Sequence, residues 1–586
     1  MTESLTTAAA SLSIDPCHSA LLESDSDGGS ALVLLGDEEA SSLPGDMQRL
    51  TFPKLPPCSL TVIPGVDEYP LAEPSVELFE STILPAAASN LLCGTLNALE
   101  QLTFGDSKMV YHNPKDSFTR RQVLRLLQLS SREGNELFDN DSRVRFQPGD
   151  SLALLCPNSN RDVNWLLDRI DLGPISNPDS PLTVQSAGVR PAPTWLLPGS
   201  YVSARFLLTY CCELHIPVSR RITRLLADCC FSNPKDSFTR RQVLRLLQLS
   251  SREGNELFDK FIRRADVTLF DLLRSFPACR IPLSRLLEIL PRLQPRAYTL
   301  ISLDQESYIA DNGRDVQTLC FLFTRIDFPS VPDNSSSGLL RYQHRKHGLC
   351  TGWLERIWKG RLAKSYPQLY FYIRRNLNGF RLPDNVCQPV IMIAAGTGLA
   401  PFISFIRRHR IECFKRSEFP PRLWLIFGCR SPITSLLHAT EITNALSDGV
   451  LYRCCLCFSR FSMDSEQTAI HDCMPVELQR QACLHTEARY VQDCISLGSH
   501  QKSLTQEQTA LTDLIIRQNA KIMVCGESKR MAPAVAASLA KLIGVALRCT
   551  DDEKSTFELT DADTTRGQEF IKQMRREKRY LEDIWT

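Results

Sequence analysis

The sequence predicts a multidomain fold, α/β plus β-barrel: a β-rich domain interrupted by a helical insertion, then a doubly wound parallel α/β domain. Three observations predict it. From Arg143 strand-like runs flank a turn, RVRF and SLALLCPNS around QPGD. Between Asn160 and Pro291 amphipathic stretches such as RRQVLRLLQL and VTLFDLLRSF carry Leu and Phe three and four apart. From Pro389 onward strands alternate with helices (VIMIAA, LAPFISFIRRHR, LWLIFG, YRCCLCF, IMVCG, MAPAVAASLAKLI), the pattern of a parallel sheet.

Taken in order, the first 48 residues hold nine acids and no Lys or Arg, without a period of two or 3.6, which reads as an acidic disordered tail. The Pro-rich stretch from Leu50 to Pro74 reads as an extended linker. Tail and hinge are assigned to residues 1–100, the first part of the barrel to 101–157 and the helical domain to 158–290. The second part of the barrel, with RAYTLISL and TLCFLFTRIDF, is assigned to 291–385, and the α/β domain to 386–586. One segment, NPKDSFTRRQVLRLLQLSSREGNELFD, occurs twice letter for letter, at 113–139 and 233–259. The second copy runs on into KFIRRADVTLFDLL and reads as native to the helical domain. The first reads as an excursion between the paired strand-like runs SKMVYH and RVRF, a length that loop closure tolerates at a sheet edge.

Composition narrows the class. Hydrophobic residues are 43% and charged residues 23% of 586, which excludes a collagen, a coiled-coil rod and a mostly disordered chain. A formal net charge of +1 gives no bulk field for nucleic acid or an anionic membrane. Twenty-two cysteines in this length are too dilute for a disulfide scaffold, and the N-terminus lacks the basic and apolar regions of a signal peptide. Reduced thiols and a cytoplasmic location are expected. The apolar stretch at 389–405 is interrupted by Gly396, Gly398 and Pro401, so no transmembrane segment is expected.

Four constellations carry chemistry. In VIMIAAGTGLAPFISF a buried strand runs through Gly396, Thr397 and Gly398 into a helix. Such a turn brings backbone amides and the positive helix end to a dinucleotide pyrophosphate, or simply joins strand to helix. After YRCCL come Ser459 and Arg460, and thirty residues on Arg489, Tyr490 and Gln492. Together they are the groups a second phosphate wants, which would select NADPH over NADH; alone, each is a solvated surface residue. On one strand stand Arg296, Ala297, Tyr298 and Thr299, and Gly348, Leu349, Cys350 and Thr351 lead into a helix. An Arg and a helix start clamp another pyrophosphate while Tyr298 offers a ring to a flavin, or Tyr298 is a half-buried strand aromatic. Last, Cys525, Gly526 and Glu527 follow IMV, and the chain ends with Asp583 and Trp585. These supply a thiol, carboxylates and a ring that could cover a flavin, or a buried thiol and a terminal anchor. Cys454 and Cys457 form a C-x-x-C with no second pair at zinc spacing, so no metal is expected.

The four constellations, in this order, resemble the diflavin NADPH reductase family over about residues 108–586. QPGDSLALLCPNS, LLEILPRLQPRAYT, GLCTGWL, YVQD and KRYLEDIW look most like the branch that reactivates cobalamin-dependent methionine synthase in methionine and homocysteine metabolism. The resemblance implies a ferredoxin-NADP-reductase-like FAD barrel with an inserted helical connecting domain and a C-terminal NADPH-binding α/β domain. It implies FAD contacts at Arg296, Ala297, Tyr298, Thr299, Gly348, Leu349, Cys350, Thr351 and Trp585. For NADPH it implies Gly396, Thr397, Gly398, Ser459, Arg460, Tyr490, Gln492, Arg489 where the family usually has Lys, and the basic Lys108. Thr299, Cys525, Asp583 and Trp585 match the family's residues around hydride transfer. The family's other flavin, FMN, sits in an N-terminal flavodoxin-like domain that nothing before Leu50 resembles, so the sequence reads as the FAD/NADPH half. The partners implied are NADPH and either cobalamin-dependent methionine synthase or a flavodoxin-like FMN protein. Two other functions fit the same residues: a single-flavin NADPH reductase serving a separate FMN or iron-sulfur carrier, and a non-catalytic NADPH- or partner-binding regulator.

Overall fold

The computed structural model describes residues 58–64, 92–101, 124–131, 144–187, 202–230, 237–264, 267–309, 315–328, 346–360, 369–385, 387–415, 422–432, 435–460, 474–485, 488–498, 501, 503–551 and 559–585. These fall into two compact units.

The first unit takes in 157–294 together with the described residues 58–64, 328 and 346. Its helices start where the sequence supplies caps. The Ser159 and Ser219 hydroxyls accept from the amides of Asp162 and Ile222 at the heads of Asn160–Arg169 and Arg220–Asp228, and Thr268 and Asp271 form a capping box for Leu269–Ser275. Leu60–Pro64 is a strand pairing antiparallel with Pro181–Ser186, with Leu60, Val62, Leu182 and Val184 buried and the Ser59 hydroxyl donating to Glu288 at 2.8 Å. This corrects the linker reading. Alternate burial of Leu60 and Val62 sets the strand, and Pro64 takes the last position of its ladder. Cys230 and Cys279, with Cα atoms 4.4 Å apart, are joined as a disulfide, against the expectation of reduced thiols throughout. The turn after Arg220–Asp228 brings one sulfur onto the other inside the core, a proximity that spacing does not reveal.

The second unit holds two sheets. Seven antiparallel strands are β1 (Leu92–Gln101), β2 (Leu124–Ser131), β3 (Ser151–Leu154), β4 (Arg296–Thr299), β5 (Ser307–Ile309), β6 (Asp315–Thr324) and β7 (Leu369–Arg374), in the order β4-β3-β7-β1-β2-β6-β5. The sheet curls until β4 meets β6: Leu300 bridges Phe321, and the Ile301 amide donates to the Cys320 carbonyl at 2.8 Å. Phe146, Leu152, Leu154, Phe321, Phe323 and Phe371 fill its inside. All of β1 but its last residue lies in the range assigned to the hinge, and β2 lies within the range assigned to an edge excursion. The first repeat copy therefore supplies a strand between β1 and β6, while in the second copy the corresponding Leu244–Ser250 is helical, part of Ser237–Ser250. RVRF forms no strand from Val144 on: the Val144 backbone exchanges hydrogen bonds with the Gln317 side chain at 2.9 and 2.8 Å.

The second sheet is parallel: β8 (Val390–Ala395), β9 (Leu423–Cys429), β10 (Leu451–Phe458), β11 (Cys483–Leu484), β12 (Lys521–Glu527) and β13 (Tyr580–Trp585), in the order β11-β10-β9-β8-β12-β13. Its strands are near-continuous apolar runs because both faces are covered. Met392, Leu425 and Met523 face one core, and Ile393, Ile426 and Val524 the other. The first core also takes in Ile301, Cys320, Leu322 and Phe380 of the antiparallel half, so the two sheets share it. The helix Met531–Asp551 is long and apolar enough to cross a membrane, but its Val535, Leu539, Leu542 and Ile543 are buried in the second core.

Candidate functional site

The parallel sheet reverses its winding beside β8. From β8 the chain builds outward through β9, β10 and β11, then returns to lay β12 on the other side. A doubly wound sheet binds ligands at the carboxyl ends of its strands where the winding reverses. Gly396 and Gly398 stand there, and their tasks differ. Gly396 has φ +56° and open space where a Cβ would be, so its backbone is free to approach a ligand. A Cβ on Gly398 would lie 2.1 Å from the Cys525 carbonyl oxygen, so this glycine lets the turn close on β12. Thr397 stands between them, half-buried, at the head of the helix Ala400–Lys415.

Ser459 and Arg460 follow β10, their amides donating to the carbonyls of Cys429 and Arg430 at 2.9 and 2.8 Å. Val491 packs on Gly428 of β9, where a Cβ would come within 2.7 Å of it, and so seats the 489–492 turn over the end of that strand. The Asp493 carboxylate accepts from the amides of Arg489 and Tyr490, leaving the Tyr490 side chain 55% exposed. Because Ala395, Gly428 and Cys457 are neighbours in register, all these predicted groups stand along one rim of the sheet. Lys108 lies outside the described residues.

A second gathering spans the two sheets. Thr299 pairs with Ser151, Ser151 pairs with Arg374, and the Arg374 charge acts on Asp583, which pairs with Cys525. Burial raises the Asp583 carboxyl above its usual range, against the pull of Arg374. Burial, with Asp583 next to it, pushes the Cys525 thiol well up. Trp585, two residues beyond Asp583 and so on the same face of β13, ends the strand 43% exposed. Glu527 is drawn elsewhere: its carboxylate accepts from the amides of Lys529, Arg530 and Met531 and caps Met531–Asp551. Arg374 was not among the predicted residues. A lone Arg at the end of LYFYIR carries no signal until the register is known.

The third gathering lies at the helix Leu349–Gly360. Its first intrahelical bond runs from the Gly352 amide to the Gly348 carbonyl, so the amides of Leu349, Cys350 and Thr351 belong to the turn without intrahelical acceptors. Gly348 is required, because a Cβ would lie 2.6 Å from the Thr351 hydroxyl, which accepts from the Ile326 amide. Arg325 fixes the helix through Glu355 at 2.6 Å. On β4, Ala297 is exposed, while Tyr298 stacks on Phe321 at 4.9 Å and hydrogen-bonds Cys350, so one face of its ring is already covered. Burial opposes ionisation of Cys350, but hydrogen bonds from Cys156 and Tyr298, with the Arg296 charge, bring it below an ordinary thiol. An Arg beside the acceptor-free amides of a helix start fits a pyrophosphate. The C-x-x-C, by contrast, cannot chelate, because Cys454 and Cys457 enter opposite cores.

A curled antiparallel sheet with a helix start suited to an anion, sharing a core with a doubly wound sheet that presents a glycine turn, is the arrangement of the flavoproteins that hold two nucleotides. The comparisons agree. Residues 135–308 match the family model described as FAD binding domain. Methionine synthase reductase of Bos taurus is 31% identical over 465 residues, 77% of this chain and 58% of that protein. NADPH oxidoreductase A of Dictyostelium discoideum is 25% identical over 484 residues, 82% and 62% of the two chains. NADPH–cytochrome P450 reductase of Bos taurus is 26% identical over 488 residues, 81% and 60%. The chain belongs to the diflavin NADPH reductase family, with FAD and NADPH as its cofactors. It spans somewhat over half the length of the curated relatives it matches.

Proposed function

We propose that the chain oxidises NADPH through FAD and passes the electrons to a separate acceptor. The observation that carries this reading is the row from Thr299 through Ser151 and Arg374 to Asp583 and Cys525, which joins the FAD-side strand to the switch-point strand. In this reading Arg296 and the start of Leu349–Gly360 hold the FAD pyrophosphate, and the Gly396–Gly398 turn holds that of NADPH. Ser459, Arg460, Arg489, Tyr490 and Gln492 take the 2′-phosphate. Bound FAD supplies the link between a two-electron donor and one-electron acceptors. Asp583, whose carboxyl is raised by burial against the pull of Arg374, stands where it can exchange a proton beside the reacting rings, with Cys525 and Thr299 closing the site against water and Trp585 covering the flavin face. The acceptor we propose is cobalamin-dependent methionine synthase, directly or through a flavodoxin-like FMN protein, as the name of the bovine relative suggests.

The test is an anaerobic titration of the purified protein, followed in the visible, first with NADPH and then separately with NADH. A flavin spectrum that bleaches with NADPH and resists NADH supports the reading. Colourless protein that neither takes up FAD nor oxidises NADPH overturns it.

A further inference from the structure

Away from the nucleotide rim, the outer edge of the parallel sheet gathers four metal-ligating side chains. Cys455 on β10 and Cys483 on β11 are partners in register, and their thiols are hydrogen-bonded to each other. Cys483 Sγ lies 3.6 Å from His485 Nε2, and that nitrogen lies 3.3 Å from a Glu507 carboxylate oxygen. The ligating atoms of Cys455, His485 and Glu507 all fall within 4.8 Å of one another, the one such group among the described residues. A tetrahedral zinc ion, with bonds of about 2.3 Å to sulfur and about 2.0 Å to nitrogen or oxygen, sets its ligands roughly 3.3–3.8 Å apart.

The surroundings suit a thiolate-bound cation. Trp424 Nε1 donates to Cys455 Sγ at 3.3 Å, the outer-shell hydrogen bond that orients and tunes a ligating sulfur. Two thiolates and a carboxylate around a divalent ion leave one negative charge. Arg453 supplies the opposite charge: it lies over the Trp424 ring at 5.2 Å and reaches Glu507 at 4.0 Å. The donors are also held in place. The His485 amide donates to the Leu456 carbonyl at 3.0 Å, and Glu507 sits in the first turn of Gln506–Ile516 behind the Thr505–Gln508 capping box. Cys455 is buried while His485 and Glu507 are partly exposed, which leaves a way in.

We infer that Cys455, Cys483, His485 and Glu507 form a structural site for zinc or a similar thiophilic divalent ion. Four protein ligands leave no open position, so the ion does not act on a substrate. It pins β11, a strand of two residues at the sheet edge, to β10 and to the following helix. The site is independent of the flavin reading.

The test uses the full chain, reduced with a phosphine under anaerobic conditions, given one equivalent of zinc and dialysed against metal-free buffer. One zinc retained per chain is expected, with two sulfur neighbours by X-ray absorption. The Cys455→Ser, Cys483→Ser double variant should retain none. Glu507→Gln, which leaves both thiols and the helix cap in place, should weaken zinc binding at least tenfold, and both variants should keep their FAD. Wild-type protein that retains no zinc overturns the site, whether its thiols stay free or close into a disulfide. So does a shell without sulfur, or equal retention by wild type and variants.

Discussion

Gly398 meets the carbonyl oxygen of Cys525 so closely that a Cβ would lie 2.1 Å from it, at the point where the parallel sheet reverses its winding. The obstacle is backbone in the middle of a sheet, with no flexible end to move aside. Gly398→Ala should therefore lower stability by about 1–3 kcal/mol and displace the nucleotide turn. Gly396→Ala has free space and faces only the strain of a positive φ, about 1 kcal/mol. Denaturant unfolding of the two variants should rank them in that order.

The Asp583–Cys525 pair yields a kinetic expectation. Burial raises the Asp583 carboxyl, so its ionisation should appear in the pH profile of flavin reduction at a pH above the usual carboxylate range. Asp583→Asn should slow that reduction by about a hundredfold and abolish this limb of the profile, with FAD content unchanged. Stopped-flow bleaching against pH measures both, and a profile that keeps the limb would assign it to another group.

Arg460 stands exposed after β10 at the rim of the nucleotide sheet. If it grips a 2′-phosphate, Arg460→Ala loses a charge-assisted hydrogen bond of about 1.5–3 kcal/mol, or roughly ten- to a hundredfold in KM for NADPH. KM for NADH should hardly move. Equal losses for both nucleotides would place the arginine in general architecture.

Much of this site was legible because its strands are written as unbroken apolar runs. VIMIAA, LWLIFGC and IMVCG sit between two cores, and the glycine turn follows the first of them at the place the pattern implies. What stayed hidden depends on register. Arg374 joins Asp583 through strands far apart in sequence, and Cys455 finds Cys483 and Glu507 only across a strand pair and a helix start. RVRF misled because alternation counts apolar positions: Phe146 is buried, but a glutamine side chain satisfies the nearby backbone in place of a partner strand.

Arg407 joins the two sheets electrostatically. It forms a two-point ion pair with Glu441 at 2.7 and 3.0 Å and also donates to the Ile301 carbonyl and to Glu306. Burial would raise the Glu441 carboxyl, but hydrogen bonds from His438 and Arg407 hold it down to about 2, against a usual 4.5. A depressed carboxyl contributes stability that is present above its unfolded pKa and is lost as pH falls through the folded one. The contribution, about 3 kcal/mol, should fade between about pH 5 and pH 2. Glu441→Gln should remove it at neutral pH and flatten the acid limb, as read by urea midpoints across that range.

The repeated segment offers the same letters in two structures. Leu124 opens the strand β2, and its counterpart Leu244 lies 36% exposed within the helix Ser237–Ser250. Local propensity cannot tell the copies apart, so the neighbours decide: β1 and β6 offer the first copy two ladders, and the helix Arg220–Asp228 packs against the second. A β-branched residue separates the two cases. Leu244→Val loses side-chain freedom in a helix, at a cost of about 0.5 kcal/mol with little burial at stake. Leu124→Val suits a strand and should leave stability unchanged or slightly raised. Urea midpoints of the two single variants decide it, since one substitution in one sequence context should act in two ways. Equal destabilisation would mean that the strand preference of Val at 124 does not offset the methylene it removes.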